Sequence, residues 1–96
     1  MKTQIQIAFI AERLLFAVAK PFIFIRELAY SKIPKHLLPM AKAKVFARHI
    51  DFIYRNYKTS IPSGRKVKAI GYDSNDFIFN KTMVILDNGE VVILDN

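Results

Sequence analysis

The amino-terminal part of the chain has the hydrophobic periodicity of a helix. Residues 5–19 are almost entirely apolar. A narrow polar stripe recurs every seven residues and consists of Gln6, Arg13 and Lys20. At about 100° per residue, the other positions place apolar side chains around most of the circumference, with Glu12 standing apart from the stripe. Because Pro21 lacks an amide hydrogen and disfavours helix at the preceding residue, the pattern predicts a helix over about 3–30 that kinks or stops near Pro21.

Such a helix has to be covered on nearly all sides, and two arrangements would do this. In the first, the helix lies centrally, between a second helix and a sheet. In the second, part of its surface forms an interface with another protein. Two-fold pairing is the commonest way to bury a surplus apolar face, so we expect a homodimer.

A second long helix is predicted over residues 40–57. Residues 31–39 contain two prolines and indicate a connector with one short helical turn, after which Pro39 is suited to the first helical position. The predicted core stripe of the 40–57 helix comprises Ala43, Phe46, Ala47, Ile50, Ile53, Tyr54 and Tyr57. Val45 and Phe52 fall outside this stripe and indicate a second contact surface.

The last third of the chain has the pattern of a small sheet. Strand-like runs occupy residues 66–72, 77–79, 83–87 and 90–94, and the first two are separated by a predicted turn at 73–76. Asn88-Gly89 predicts a two-residue type I′ hairpin, because both residues tolerate positive φ. The hairpin strands are apolar at consecutive positions, so both of their faces are expected to be covered. The fold class is therefore α+β, with the helices first and an antiparallel sheet of three or four strands over about 66–95.

Composition limits the chain to one folded domain over residues 1–96. Hydrophobic residues make up 52% and charged residues 24% of the 96 positions, which is ample for one core. The absence of cysteine excludes disulfides and thiolate metal sites. Because cysteine usage then gives no information on the redox compartment, a cytoplasmic location is only the default expectation.

Charge is distributed very unevenly along the sequence. Lys and Arg outnumber Asp and Glu by five to two in residues 1–34 and by nine to one in residues 35–68. In residues 69–96 the acidic residues dominate by five to one, and the whole chain carries +7. A cationic block this dense, nearly free of carboxylates, is typical of a surface that meets a polyanion.

The candidate site is therefore a basic helix and loop that contact a nucleic-acid backbone or another polyanion. Its predicted residues are Lys35, Lys42, Lys44, Arg48, Arg55, Lys58, Arg65, Lys66 and Lys68. Phe52, Tyr54 and Tyr57 interleave with these cations and are candidates for stacking on unpaired bases. Core packing is the stronger interpretation, because two of the three lie on the predicted core stripe. A purely solvated basic face, or one neutralised by the acidic hairpin, is the alternative interpretation.

The sequence carries no enzymatic, metal-binding or cofactor signature, and we expect a non-enzymatic protein. His36 and His49 lie thirteen residues apart, without the ligand spacing of a zinc site. Asp73 and Asp76 are explained by a turn as readily as by a bound divalent ion.

Two other functions are compatible with these residues. The main alternative is a protein-interaction module, such as an inhibitor, adaptor or phage-type regulator that acts by occlusion through its apolar surface. Attachment of the first helix to a membrane surface, with Lys2, Arg13 and Lys20 at the headgroups, is the less favoured alternative. A membrane-spanning helix is not expected, because Glu12 and Arg13 lie near the centre of the apolar window.

Overall fold

The computed structural model of the protein describes residues 1–73 and 80–94. Within them, helices precede a three-stranded antiparallel sheet, which confirms the α+β class. The helices are α1 (Lys2–Ala17), α2 (Phe22–Ser31) and α3 (Leu38–Asn56). The strands are β1 (Val67–Asp73), β2 (Lys81–Leu86) and β3 (Val91–Ile93). The predicted strand at 77–79 and residues 74–76 of the predicted turn lie outside the described residues.

The predicted kink near Pro21 is a complete break between two helices. α1 already ends at Ala17, and Val18 has φ −127° and ψ −69°, outside the helical region. Pro21 is the N-cap of α2. The end of α2 then packs beside the start of α1, where Ala29 and Ile5 share one buried cluster. The first two helices therefore form an antiparallel hairpin instead of one bent rod.

The connector contains the predicted short helical turn. Lys35–Leu37 forms one turn of 3-10 helix, and α3 follows directly. Pro39 is the second residue of α3 instead of the first, a position where its missing amide hydrogen is equally harmless.

The predicted core stripe of α3 was only partly right: Ile53 is buried, and Ile50 and Tyr57 pack against the same core cluster, but the rest of the stripe is exposed. The buried residues of this helix are Ala41, Val45, His49 and Ile53, spaced four apart. Four members of the predicted stripe are exposed, namely Ala43, Phe46, Ala47 and Tyr54. Hydrophobicity along the sequence favoured the wrong face because it counted His49 as polar, whereas a carboxylate on α1 provides this imidazole with a buried partner.

The sheet has the order β1-β2-β3, and the β2–β3 connection differs from the prediction. The Leu86 amide donates to the Glu90 carbonyl at 2.8 Å, so the loop contains three residues, 87–89, instead of two. Gly89 has φ +87°, whereas Asn88 does not have positive φ. The type I′ prediction was therefore wrong, and the geometry is that of a type I turn closed by a glycine bulge. The Asn88 side chain accepts a hydrogen bond from the Glu90 amide at 3.0 Å, which favours this alternative.

Among the described residues, one face of the sheet packs against the helices and the other is partly exposed. Val84 and Leu86 are fully buried in a cluster with Ile53 of α3. Val91 and Ile93 of β3 are about half exposed, so the prediction that both faces of the hairpin are covered was wrong.

Hydrogen bonds from the start of β2 fasten the sheet to the end of α1. The buried side chain of Asn80 donates to the Leu15 carbonyl at 2.6 Å, and the backbone amide of Asn80 donates to the Val18 carbonyl at 3.0 Å. These bonds satisfy carbonyls that the end of a helix leaves without intrahelical partners. They also fix α1 between the sheet and α2, as the first arrangement considered from the sequence requires.

Candidate nucleic-acid interface

All nine predicted basic residues are exposed, but they extend along the molecule instead of forming one compact site. One residue, Lys35, lies on the 3-10 turn before α3. Four lie on α3, namely Lys42, Lys44, Arg48 and Arg55, and four follow it, namely Lys58, Arg65, Lys66 and Lys68. At 1.5 Å per residue, Lys35 and Arg55 are separated by about 30 Å along the helix axis.

The centre of this surface is a groove between α1 and α3, which we call the arginine groove. Its volume is about 290 Å³, and its lining residues are Phe9, Arg13, Arg48, Asp51, Phe52, Arg55 and Asn56. Three guanidinium groups face one carboxylate there, which leaves a net charge of two positive units. The structure thus brings together two of the predicted residues, Arg48 and Arg55, with Arg13 from the other helix.

Arg13 was missing from the predicted site, although the sequence contained a signal for it. It belongs to the polar stripe that recurs every seven residues on α1, together with Gln6. In the structure this stripe faces the basic side of α3, since Arg48 donates from Nη1 to Gln6 Oε1 at 3.2 Å. Only the packing of the two helices shows that the stripe and the basic face form one surface.

Neighbouring side chains hold two of the three arginines in place. The guanidinium carbon of Arg13 lies 4.3 Å from the centroid of the Phe52 ring, in cation–π geometry. Arg48 is oriented by its hydrogen bond to Gln6. Arg55 pairs with Asp51 at 3.2 Å, but both side chains are largely exposed, so the pair is easily opened.

The aromatic residues considered for base stacking take part in the packing. Phe52 is partly buried, with Arg13 over its ring and the Tyr57 ring centroid 6.4 Å away. The hydroxyl of Tyr54 accepts a hydrogen bond from the Val67 amide at 2.9 Å, which ties α3 to β1. This arrangement favours a packing role for Phe52 and Tyr57 over stacking on bases, while the exposed Tyr54 is held by its hydrogen bond to β1.

Two predicted basic residues have other surroundings. Lys42 lines a separate cavity of about 200 Å³, beside the carboxylates of Glu12 and Glu27, and its Nζ lies 5.5 Å from the centroid of the Tyr30 ring. Arg65 lies 3.7 Å from the carboxylate of Asp87 in the β2–β3 loop. The acidic hairpin therefore offsets part of the basic surface at its carboxyl-terminal end.

The backbone at Lys68 is irregular in a way that affects the basic surface. The β1–β2 register shifts between Val67 and Ala69, which leaves Lys68 at a bulge. A bulged residue is unpaired and turns its side chain away from the regular alternation of the strand. Lys68 accordingly extends the basic surface from the end of α3 onto the edge of the sheet.

A partly buried network of Glu12, Arg26 and His49 lies beside the cavity that Lys42 lines, and no pattern in the sequence predicted it. Glu12 of α1 accepts a hydrogen bond from Arg26 Nη1 at 3.1 Å, and its second oxygen lies 3.1 Å from His49 Nδ1. The His49 ring stacks on Phe16 at a centroid distance of 5.3 Å. Two features of the sequence could have indicated this network. Glu12 lies off the polar stripe of α1, and His49 lies four residues from both Val45 and Ile53, on the same side of α3.

The network joins all three helices and is suited to holding them together. A carboxylate paired with an imidazole also orients the base in some hydrolases, but such a base must reach its substrate. The His49 side chain is only 1% exposed: it packs among three aromatic rings and borders a cavity of about 210 Å³. Burial, followed by the charge of Glu12, raises the pKa of nearby Tyr30 to about 12, so this phenol is neutral at physiological pH.

Two tests for other kinds of site were negative within the described part of the chain. No group of three or more His, Cys, Asp or Glu side chains in residues 1–73 and 80–94 is placed to hold a metal ion. None of the described helices has the length and apolarity needed to cross a bilayer.

Comparison of the chain with protein-family models, with curated proteins and with solved structures found no match.

Proposed function

We propose that the protein binds the sugar-phosphate backbone of a nucleic acid through the basic surface of α3 and the following loop, with the arginine groove at its centre. The observation that carries this proposal is that Arg13, Arg48 and Arg55, from two helices, line one open groove. Arginine is suited to this role because its planar fork donates two parallel hydrogen bonds to a phosphate.

Preorganisation supports the same proposal. Arg13 is placed over Phe52 and Arg48 is bonded to Gln6, so these side chains lose less conformational entropy on binding than free surface arginines do. Asp51 would repel a phosphate, but its partner Arg55 is exposed and can turn toward the ligand. The cations of the loop after α3 would extend the contact along the backbone.

The expected binding is strongly salt-dependent and largely independent of sequence. Contacts to phosphate position a protein on nucleic acid but do not read bases. With about five such contacts, log affinity for duplex DNA would fall by about 4.5 for each tenfold rise in salt, because condensed counterions are released. For a single strand the corresponding fall would be about 3.5.

Fluorescence anisotropy with labelled duplex DNA, single-stranded DNA and RNA, titrated at several salt concentrations, tests the proposal. Arg48→Gln and Arg55→Gln should each weaken binding. Each should also reduce the slope of log affinity against log salt by about 0.9 on duplex DNA, the contribution of one phosphate contact. Lys81→Gln is the matched control, because it removes one exposed cation from β2, away from the groove. Failure to bind at low salt, or equal losses for Lys81→Gln and Arg48→Gln, would exclude the groove as a nucleic-acid site.

The second candidate function is a protein-interaction module that acts by occlusion. It is favoured by the uncovered face of the sheet, where Val91 and Ile93 are about half exposed. A partner protein that is retained in a pull-down at high salt after nuclease treatment, and lost with Ile93→Ser, would support this function. A partner that disappears on nuclease treatment would instead support nucleic-acid binding.

A further inference from the structure

The outer side of the α1–α2 hairpin is an apolar surface that the described fold leaves uncovered. A groove of about 150 Å³ runs between the two helices, and its lining is entirely apolar. The lining residues are Ile7, Ile10, Ala11, Leu14, Phe22 and Ile25. We call this surface, together with Phe24 and Leu28, the hairpin face.

Phe24 and Leu28 are the most exposed large apolar residues of the hairpin face. Phe24 is 75% exposed and Leu28 is 59% exposed. They lie four residues apart, on the same side of α2 and beside Ile25. An exposed patch of this kind, formed by aromatic and aliphatic side chains at one helical face, is characteristic of an interaction surface.

The charges around the hairpin face are positive. Lys20 and Lys32 are both exposed. Lys20 precedes Phe24 by four residues and Lys32 follows Leu28 by four, so these cations flank this side of α2 at its two ends. The carboxylates of α1 and α2 are both paired with Arg26. Glu12 lies 3.1 Å from Arg26 Nη1 and Glu27 lies 3.5 Å from Arg26 Nε.

We propose that the hairpin face docks onto an anionic phospholipid surface, with the two helices lying parallel to the membrane plane. Phe24 and Leu28 would enter the boundary between headgroups and acyl chains, while Lys20 and Lys32 contact lipid phosphates. Charge complementarity favours this occupant over a second copy of the chain. Two copies paired through this face would bring two cationic rims together in a protein that already carries +7.

A single tryptophan reporter gives a direct test, because the chain has no tryptophan of its own. Phe24→Trp should show a blue-shifted emission with vesicles of phosphatidylcholine and phosphatidylglycerol, and the protein should float with them. Phosphatidylcholine alone should give a much smaller effect. Phe46→Trp, at a partly exposed position of α3 that does not line the hairpin face, is the control, and vesicles should leave its emission unchanged.

Matched substitutions separate the apolar and the electrostatic contributions. Phe24→Ser should lower the vesicle partition coefficient about tenfold or more, since most of a phenylalanine side chain would be withdrawn from water on docking. Ile10→Ser should also weaken partitioning, whereas Ile93→Ser should not, although these residues are 46% and 47% exposed. Lys20→Gln and Lys32→Gln should each lower the vesicle partition coefficient about fivefold. Lys81→Gln should leave it unchanged, because only cations that face the headgroups contribute.

Three results would overturn the proposal. The first is no flotation with anionic vesicles, and the second is partitioning that Phe24→Ser leaves unchanged. The third is a dimer in light scattering that Ile10→Ser dissociates, since the hairpin face would then be occupied by a second copy. Nucleic-acid binding is tested separately, because Phe24→Ser should leave anisotropy titrations unchanged and Arg48→Gln should leave flotation unchanged.

Discussion

Replacing Glu12 with alanine should destabilise the protein far more than a typical surface substitution. Glu12 is the only described carboxylate within 4 Å of both Arg26 and His49, and its side chain is 16% exposed. A carboxylate only accepts hydrogen bonds, so the 3.1 Å contact requires a proton on His49 Nδ1. Without Glu12, a buried imidazole donor would lose its carboxylate partner, and the largely buried guanidinium of Arg26 would lose the nearer of its two.

The expected loss can be bounded from the surroundings of these groups. Breaking a buried ion pair by removing one partner costs about 3–5 kcal/mol, because the other charge stays desolvated. Arg26 is 19% exposed and also lies 3.5 Å from Glu27, so part of that cost is recovered. We therefore expect a loss near the lower limit, about 3 kcal/mol, from a total stability of about 5–15 kcal/mol. The melting temperature should fall by roughly 12–24 °C.

Urea unfolding followed by far-ultraviolet circular dichroism measures this loss directly. Glu27→Ala is the control, because it removes the other carboxylate near Arg26 from an exposed position and should cost less than about 0.5 kcal/mol. Glu12→Gln should give an intermediate loss, since its amide can accept from one donor but turns an NH₂ group toward the other. If Glu12→Ala costs no more than Glu27→Ala, the network does not stabilise the fold and our reasoning about it is wrong.

Three further predictions concern the sheet and the pH dependence of stability. Asn80→Ala should lower the free energy of unfolding in urea by about 1–2 kcal/mol, because the side-chain amide donates to the Leu15 carbonyl at 2.6 Å. Thr82→Val should lower it little, because the hydroxyl of Thr82 lies 3.4 Å from its acceptor. Gly89→Ala should lower the free energy of unfolding by about 1 kcal/mol, since φ is +87° at this position. Gly71→Ala should be nearly neutral, because the added methyl would meet its nearest neighbour at 3.7 Å. Equal losses for the two variants would contradict the glycine bulge at Gly89. Burial raises the pKa of Tyr30 from 10.0 to about 12, so the phenol ionises first in the unfolded chain and stability should fall as the pH rises between these values. In the same unfolding measurements, Tyr30→Phe should lack that part of the fall.

Local patterns in the sequence determined the order and type of the secondary structure elements. Helical periodicity identified α1 and α3, and the effect of Pro21 on its neighbour marked the region where α1 and α2 separate. Each of these signals depends on residues within a few positions of one another, and the forces that produce them are equally local. The exposure of the basic residues of α3 was predictable for the same reason, since lysine and arginine side chains are seldom buried without a partner.

The tertiary structure alone decided which face of α3 is buried. Hydrophobicity favoured the face of Phe46 and Tyr54, but the buried face contains His49. Glu12 lies 37 residues earlier in the chain, and no local pattern shows that it will supply the partner for the imidazole. Once that partner is present, burying the histidine costs little, and the neighbouring Val45 and Ile53 can pack as well.

The composition of the arginine groove was decided in the same way. The sequence determined that α1 carries a polar stripe with Arg13 and that α3 carries Arg48 and Arg55 on an exposed face. Whether these form one surface depends on the rotation of each helix about its axis. That rotation is fixed by contacts between residues distant in sequence, which is why only the folded molecule reveals the groove.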